Sequence, residues 1–210
     1  YEADGPLSAY FDHLEQNSFF GESTYEKAES AMQKFALITA LQKAALKSTD
    51  LDCIFGGDLL NQCIGTGFAM RNFSTPYYGL YGACSTMGEG LSLAALLIAA
   101  GYLETAAAIT SSHFCTAERQ YRMPLPYGSQ RSPTAQWTAT ASGCTILGQE
   151  GPGPYITYVT RGRIVDKGIT DANNMGAAMA PAALDTLSAF FQDTGYVPGD
   201  FDRIITGDLG

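Results

Sequence analysis

The sequence predicts an α/β fold in which a mostly parallel sheet carries helices on its faces. Three observations support this prediction. Short buried strands alternate with segments of helical periodicity, which is the pattern of strand–helix–strand units. Hydrophobic residues make up 46% of the 210 residues and charged residues 16%, so the chain can bury a sizeable core. A short pattern that starts at Asp50 recurs at Asp200, which indicates a duplicated architecture.

The first half of the chain contains the clearest elements. Ser23 to Glu26 form a capping box, and the apolar residues that follow at helical spacing predict a helix over 24–46. Further elements are predicted in order: a strand over 52–57, a helix over 59–73, a strand over 77–81, a helix over 85–100 and a strand over 105–110.

The rest of the chain is less regular. Residues 111–133 are polar, aromatic and basic, and they predict a long loop. Two strands over 136–147 and 155–165 are expected to pair, because a turn-rich "GQEGPGP" joins them. A helix over 175–193 and a strand over 202–206 complete the prediction.

The repeat divides the chain into two expected halves. Residues 1–150 are predicted to form the first half, and residues 151–210 the beginning of an incomplete second half, so we expect both ends of the natural chain to be missing. Recurrence of Asp58 favours a structural turn or cap, since a catalytic site is not expected twice. The repeated residues are Asp50, Asp52, Ile54, Gly57, Asp58 and Leu59, which match Asp200, Asp202, Ile204, Gly207, Asp208 and Leu209.

Composition disfavours several classes of function. The net charge of -9 opposes binding to nucleic acid or to an anionic bilayer. The longest apolar stretch, Leu91 to Ala100, is shorter than the roughly 20 residues that span a membrane. No CxxC pair indicates zinc, and the odd number and irregular spacing of the cysteines predict reduced thiols. They are Cys53, Cys63, Cys84, Cys115 and Cys144.

Six motifs carry a resemblance to a known family. They are "GDLLNQ" at 57–62, "GLYGACST" at 79–86, "TSSHFCTAERQYR" at 110–122, "YGSQRSPTAQWT" at 127–138, "GITDANNMGAAMAPAA" at 168–183 and "TGDL" at 206–209. A duplicated α/β half with a cysteine in "GACST" resembles the thiolase and ketoacyl synthase superfamily. The six motifs in order resemble, within it, the stage V sporulation protein AD family of spore-forming bacteria.

The resemblance implies a duplicated thiolase-like fold whose second half is truncated here, and a homodimer when the chain is full length. It implies binding of dipicolinic acid (pyridine-2,6-dicarboxylate) and a part in its uptake into the developing spore. Calcium enters only as the dipicolinate chelate, and no cofactor is implied. Other stage V sporulation membrane proteins are the implied partners, which places the protein peripherally at the spore inner membrane. Acyl-transfer activity is not assumed.

Cys84 decides between alternative functions. A cysteine at a helix N-terminus favours the thiolate, and in acyl-transfer relatives this residue is the nucleophile. Such an enzyme needs a base, yet the chain has only His13 and His113, and His13 is expected at the surface. Cys84 is alternatively a pocket-lining residue, or a small residue in a tight turn. A scaffold that recruits membrane partners and binds no small molecule is the third class.

The predicted loop over 111–133 is the best candidate for recognising a diacid. It follows the end of a predicted strand, where ligands bind in open α/β sheets, and the guanidinium fork matches a carboxylate. Each arginine is alternatively a solvated ion-pair partner, for example of Glu118. Trp137 is either a stacking surface or a core residue. The expected ligand-binding residues are Cys84, His113, Arg119, Arg122, Tyr127, Gln130 and Arg131.

A polar group precedes the predicted helix over 175–193. Asp171, Asn173 and Asn174 are best explained as a helix N-terminal cap. Their oxygens could instead complete a calcium shell, but so few oxygens in one loop predict no metal site.

Overall fold

The computed structural model describes residues 2–122, 138–171, 174–207 and 209. The chain forms two compact units, residues 1–154 and residues 155–210. The first unit contains the sheet, and the second contains one long helix with its flanking segments. Assignment of 1–150 and 151–210 to the two halves of a duplicated fold stays a prediction.

The first unit alternates strands and helices as the sequence predicts. Its elements in chain order are α1 (Tyr25–Lys43), β1 (Cys53–Gly57), α2 (Ile64–Met70), β2 (Tyr77–Gly79), α3 (Thr86–Ala99), β3 (Thr105–Ser112) and β4 (Ala141–Gly148). The second unit contains α4 (Met175–Thr194).

One four-stranded sheet organises the first unit, with strand order β2-β1-β3-β4. β1 pairs in parallel with β2 and with β3, and β4 pairs antiparallel with β3. The sheet is therefore mostly parallel, as predicted. Because the carboxyl ends of β1, β2 and β3 lie at the same edge, the segments that follow these strands are neighbours.

Helices cover both faces of this sheet. Ile54 and Phe55 are adjacent in β1 and point to opposite faces, as the two-residue period of a strand requires. Ile54 packs with Leu37 and Leu41 of α1, whereas Phe55 packs with Ala94 of α3. All of these side chains are buried, so the sheet is the centre of a layered helix–sheet–helix core.

The predicted pairing of 136–147 with 155–165 is wrong. β4 instead pairs with β3 over eight residues, from Thr105 opposite Gly148 to Ser112 opposite Ala141. Residues 155–165 and 202–206 form no strand among the described residues of the second unit. A β-strand needs a neighbouring strand to which its backbone is hydrogen-bonded. These two segments pair with no strand in the described part of the chain, and their side chains Ile164 and Ile205 are 98% and 86% exposed.

Helix boundaries repeat between the two units at a fixed offset. α1 begins at Tyr25 and α4 at Met175, 150 positions later. The side chain of Thr24 caps α1 by accepting a hydrogen bond from the backbone N–H of Lys27, and Asn174 caps α4 in the same way. Asn174 is therefore the predicted cap.

The turn after each of these two helices also repeats. Ala45 and Gly195 both have left-handed backbone conformations, with φ of 55° and 75°. The Asp50 carboxylate then accepts a hydrogen bond from the N–H three residues earlier at 2.7 Å, and Asp200 does the same at 2.9 Å. The repeat seen in the sequence is thus a repeat of caps and turns.

Candidate functional site

The candidate site lies at the sheet edge where β1, β2 and β3 end. Three segments follow these strands: residues 58–63 after β1, residues 80–85 after β2 and residues 113–122 after β3. We call residues 80–85 the cysteine turn and residues 113–122 the arginine loop.

Hydrogen bonds hold the three segments together. The Cys63 thiol donates to the carbonyl oxygen of Leu80 at 3.0 Å, which joins the first segment to the cysteine turn. The Glu118 carboxylate accepts from the N–H of Asn61 at 2.8 Å, and the Glu118 N–H donates to the carbonyl of Leu59 at 2.9 Å. Both the side chain and the backbone of Glu118 therefore fix the arginine loop to the segment that follows β1.

Backbone strain is concentrated in the same place. Gln62, Cys63 and Ala83 have φ of 58°, 53° and 49°, a left-handed region that side chains with a Cβ rarely adopt. A Cβ on Gly57 would lie 1.8 Å from the carbonyl oxygen of Leu80, so only glycine allows this close approach. Strain of this kind persists where the surrounding structure enforces it, and it is common at ligand sites.

Cys84 lies in a 3-10 turn, Ala83–Ser85, directly before α3. Its side chain is exposed, and all five cysteines of the chain are free. The fourteen-residue helix that follows places the partial positive charge of its N-terminus near the thiol. Cys84 is therefore accessible to a small molecule, either as a nucleophile or as part of a binding surface.

His113 is occupied by protein groups. Its Nε2 lies 2.9 Å from the carbonyl oxygen of Ser18, and its Nδ1 accepts from the N–H of Cys115 at 3.1 Å. These partners fix the neutral tautomer with the proton on Nε2. His113 is 1% exposed and its ring lies 4.9 Å from the ring of Tyr25, so these contacts give it a structural role, and its expected part in ligand binding stays a prediction.

His13, the other histidine, lines a cavity away from the three site segments. This cavity has a volume of about 810 Å³ and lies between residues 10–20, α1 and β4. The His13 ring packs 4.8 Å from the ring of Phe35 and lies 3.9 Å from the Glu15 carboxylate. None of Cys84, Arg119 and Arg122 lines this cavity.

The arginine loop approaches the cysteine turn at two tyrosines. Tyr121 lies in the 3-10 turn Arg119–Tyr121, and its side chain interacts electrostatically with that of Tyr81, three residues before Cys84. Partial burial, the neighbouring Tyr121 and the nearby Glu118 raise the pKa of Tyr81 to about 12. The side chains of Tyr81 and Tyr121 are therefore neighbours across the two segments.

The two described arginines of the loop differ in environment. Arg119 is exposed, whereas Arg122 is half-buried and its buried Nε has no hydrogen-bond partner among the described residues. A buried guanidinium nitrogen without a partner costs free energy. The other three predicted ligand-binding residues, Tyr127, Gln130 and Arg131, lie outside the described residues, as does Trp137.

A buried polar network that the sequence analysis missed lies beneath this edge. It joins α1 to the ends of β1 and β3, and Gln33 is at its centre. The Gln33 Nε2 donates to the hydroxyls of Thr66 at 2.8 Å and Ser111 at 2.7 Å. The Thr66 hydroxyl donates a hydrogen bond to the Asp58 carboxylate, and the Ser111 hydroxyl donates one to the Glu29 carboxylate.

Glu29 is the most strongly perturbed group of the network. Its Oε1 accepts from Ser111 at 2.8 Å and its Oε2 accepts from Thr116 of the arginine loop. Burial raises the pKa of Glu29 to about 7, against the lowering effect of these two hydrogen bonds, and the Asp58 and Glu26 carboxylates add to the increase.

The sequence did contain a signal for this network. Glu29 and Gln33 are four residues apart and continue into Leu37 and Leu41, so all four lie on one helical stripe. Two polar residues on the buried face of an amphipathic helix predict a buried polar cluster.

Asp58 has a structural role, as its recurrence predicts. Its carboxylate accepts from the backbone N–H groups of Leu60 at 2.8 Å and Thr66 at 2.6 Å, which holds the turn between β1 and α2. Its repeat partner Asp208 lies outside the described residues, as does Asn173. Within residues 2–122, 138–171 and 174–207, no cluster of three or more His, Cys, Asp or Glu residues could hold a metal ion.

Solved structures with this architecture define the fold class. A variant of Xanthomonas campestris OleA is similar over 83% of this chain and 59% of its own, with a TM-score of 0.59 and 16% identity. A tetronic acid condensing enzyme matches 83% of this chain and 61% of its own, with a TM-score of 0.59 and 15% identity. The 3-oxoacyl-(acyl carrier protein) synthase III of Pseudomonas aeruginosa PAO1 matches 83% of this chain and 59% of its own, with a TM-score of 0.56 and 14% identity. The fold is thiolase-like, as predicted.

Sequence comparison then gives the family. Stage V sporulation protein AD of Bacillus subtilis (strain 168) is 41% identical over 208 residues, which are 99% of this chain and 62% of that protein. The family model for stage V sporulation protein AD matches residues 1–210. The chain belongs to the stage V sporulation protein AD family, and it spans about 62% of the length of this relative. None of the helices in the described part of the chain is long and apolar enough to cross a membrane.

Proposed function

We propose that this chain is part of a dipicolinate-binding protein that acts in sporulation, in the uptake of dipicolinic acid into the developing spore. The carrying observation is that the segment after β1 holds both the arginine loop, through Asn61 and Glu118, and the cysteine turn, through Cys63 and Leu80. A flat diacid needs cationic donors for its carboxylates beside a surface for its ring. Arg122, with its buried unpartnered Nε, and the two tyrosines supply both.

Cys84 lines the site in this proposal, and the protein is a binder without acyl-transfer activity. Calcium accompanies the ligand as its chelate and is not a resident metal. Membership of the sporulation family supports a peripheral position at the spore inner membrane, beside other stage V sporulation membrane proteins, and a homodimer of the full-length chain.

Calorimetry on the full-length protein tests the proposal. Pyridine-2,6-dicarboxylate should bind, and pyridine-2-carboxylate should bind at least 10-fold more weakly, because one charge-assisted hydrogen-bonded pair contributes about 1.5–3 kcal/mol. Arg122→Ala should weaken binding of the diacid by a similar factor. The matched control is Arg71→Ala, since the Arg71 guanidinium lies 5.3 Å from the ring of Phe68 and outside the three site segments.

Three results would count against the proposal. A folded full-length protein that gives no binding heat at millimolar dipicolinate has another ligand or none. Equal affinities for the diacid and the monoacid would remove the role of paired cationic donors. An unchanged affinity in Arg122→Ala would move the site away from Arg122.

A second candidate is an acyl-transfer enzyme with Cys84 as nucleophile. The observation in its favour is the exposed thiol in the turn before α3. The Cys84 thiol would lose its proton, the thiolate would attack the carbonyl carbon of an acyl-thioester, and the C–S bond of that thioester would break. The leaving thiolate would take up the proton that Cys84 lost. It predicts an acyl adduct detectable by mass spectrometry and absent in Cys84→Ala. Failure of both assays would favour the scaffold, in which surface apolar substitutions alone impair function.

A further inference from the structure

Glu29 connects three separate parts of the first unit although it is fully buried. It lies on α1, its Oε1 accepts from Ser111 near the end of β3, and its Oε2 accepts from Thr116 in the arginine loop. The partners are 82 and 87 residues away along the chain, so the contacts are tertiary.

Thr116 links Glu29 to the segment that contains the two arginines. It is 6% exposed and lies three residues before Arg119. Its backbone N–H and that of Ala117 donate to the carbonyl of His113 at 3.0 and 2.9 Å, which forms a tight turn. The next residue, Glu118, is fixed to the end of β1 by the hydrogen bonds described above. Two residues held by hydrogen bonds, Thr116 and Glu118, therefore directly precede Arg119 and Arg122 in the chain.

The network costs stability, which argues for a role in positioning. Gln33 Oε1 is buried and has no partner among the described residues. Asp58 and Glu29 place two carboxyl groups in one buried network. An apolar replacement of such a network is often neutral or stabilising, whereas the hydrogen bonds fix one arrangement of the segments.

From these contacts we infer that Glu29 is a positioning residue for the arginine loop, holding Thr116 so that Arg119 and Arg122 stay beside the cysteine turn. For ligand affinity the inference rests on the proposed function. The position of the loop itself does not depend on that function.

The contact tolerates both protonation states of Glu29. The ionised carboxylate accepts from the Thr116 hydroxyl. When Glu29 is neutral, its own O–H can donate to Thr116, whose hydroxyl then donates to the carbonyl of His113 at 3.1 Å. Glutamine can make the same bonds as neutral Glu29, because its amide donates to Thr116 and its carbonyl accepts from Ser111.

Opening of the loop should nevertheless become easier as Glu29 ionises, because the buried charge then gains water. With pKa values of about 7 in the closed state and 4.5 in the open state, opening is about 10-fold more favourable at pH 8 than at pH 6. Other titratable groups near Glu29 and Thr116 are unchanged in Glu29→Gln, so that variant isolates Glu29. They are Asp58, Glu26, Tyr25, His113, Cys115 and Glu118.

The test compares the full-length wild-type protein with Glu29→Gln, Glu29→Ala and the control Glu26→Gln, which changes an exposed carboxylate on the same helix. Hydrogen exchange of residues 113–122, corrected for the intrinsic pH dependence, should rise about 10-fold from pH 6 to pH 8 in wild type and Glu26→Gln. It should stay flat in Glu29→Gln. At pH 6, Glu29→Ala should exchange at least 10-fold faster and bind dipicolinate at least 10-fold more weakly, while Glu29→Gln retains both values.

The outcomes separate the two hypotheses. The same pH dependence in Glu29→Gln as in wild type, or unchanged exchange in Glu29→Ala, overturns the role of Glu29. If Glu29→Ala does not fold, the comparison of wild type with Glu29→Gln still decides. If the exchange results hold but wild type binds no dipicolinate, Glu29 positions the loop and the ligand assignment falls.

Discussion

The pH dependence of global stability should report the burial of Glu29. Its pKa rises from 4.5 to about 7 on folding, so the folded state prefers the protonated form. The stabilising contribution is therefore complete below about pH 4.5 and is lost as pH rises through 7. At 1.36 kcal/mol for each pKa unit, the loss between pH 5 and pH 8 is about 2–3 kcal/mol.

Replacement of Glu29 by glutamine should remove this loss. At pH 5 the variant and wild type should have similar free energies of unfolding, because glutamine resembles the neutral acid. At pH 8 the variant should be more stable by about 2–3 kcal/mol, since wild type then buries a charge. Urea unfolding of the full-length proteins, followed by far-UV circular dichroism at pH 5, 6, 7 and 8, measures the difference.

Glu26→Gln is the control, since Glu26 is an exposed carboxylate one turn earlier on α1. Its difference from wild type should stay within about 0.5 kcal/mol at every pH. If the difference between Glu29→Gln and wild type is the same at pH 5 and pH 8, the carboxyl of Glu29 does not titrate on unfolding, and our account of its burial fails.

Three further predictions concern the backbone and the tyrosine contact. Ala45→Gly should raise the free energy of unfolding by about 0.5–1 kcal/mol and Gly195→Ala should lower it by about 1 kcal/mol, because both residues have a left-handed backbone conformation. Urea unfolding measures both changes, and changes of the same sign would contradict this prediction. Gly57→Ala should cost about 3 kcal/mol by collision with a neighbouring carbonyl oxygen, whereas the open helical position Gly88→Ala should cost nothing. Tyr121→Phe should lower the pKa of Tyr81 from about 12 toward 10, measured by NMR of isotope-labelled tyrosine, and an unchanged pKa would exclude the contact.

Periodicity and capping predicted the elements of the first unit well, because these elements bury their own pattern. The helix predicted over 24–46 is α1, and the strand over 52–57 is β1, all five of whose residues are buried. The helix over 59–73 is shorter than predicted, since left-handed Gln62 and Cys63 delay its start to Ile64. Residues without a special local sequence signal can take such a conformation when hydrogen bonds to other segments enforce it.

The candidate site was predictable only in part. The meeting of the arginine segment with the cysteine turn follows from the rule that ligands bind beyond the carboxyl ends of strands. Which side chain makes that contact does not follow, since Tyr81 and Tyr121 carry no sequence signal that distinguishes them from the other tyrosines. The hydrogen bond between His113 and Ser18 could not be predicted either, because the two residues are 95 positions apart and sequence patterns give no information over that distance.

Comparison of the two copies separates structural residues from residues tied to the site. The caps and left-handed turns recur at an offset of 150 residues, which is expected of features that only terminate helices. Glu29 and Gln33 do not recur: the matching residues on α4 are Met179 and Ala183. An apolar methionine and an alanine thus stand on α4 at the two positions that carry the polar side chains of the network on α1. The caps and turns of α4 form without Glu29 and Gln33, so the helix–turn framework does not require the network, as a role in positioning the arginine loop predicts.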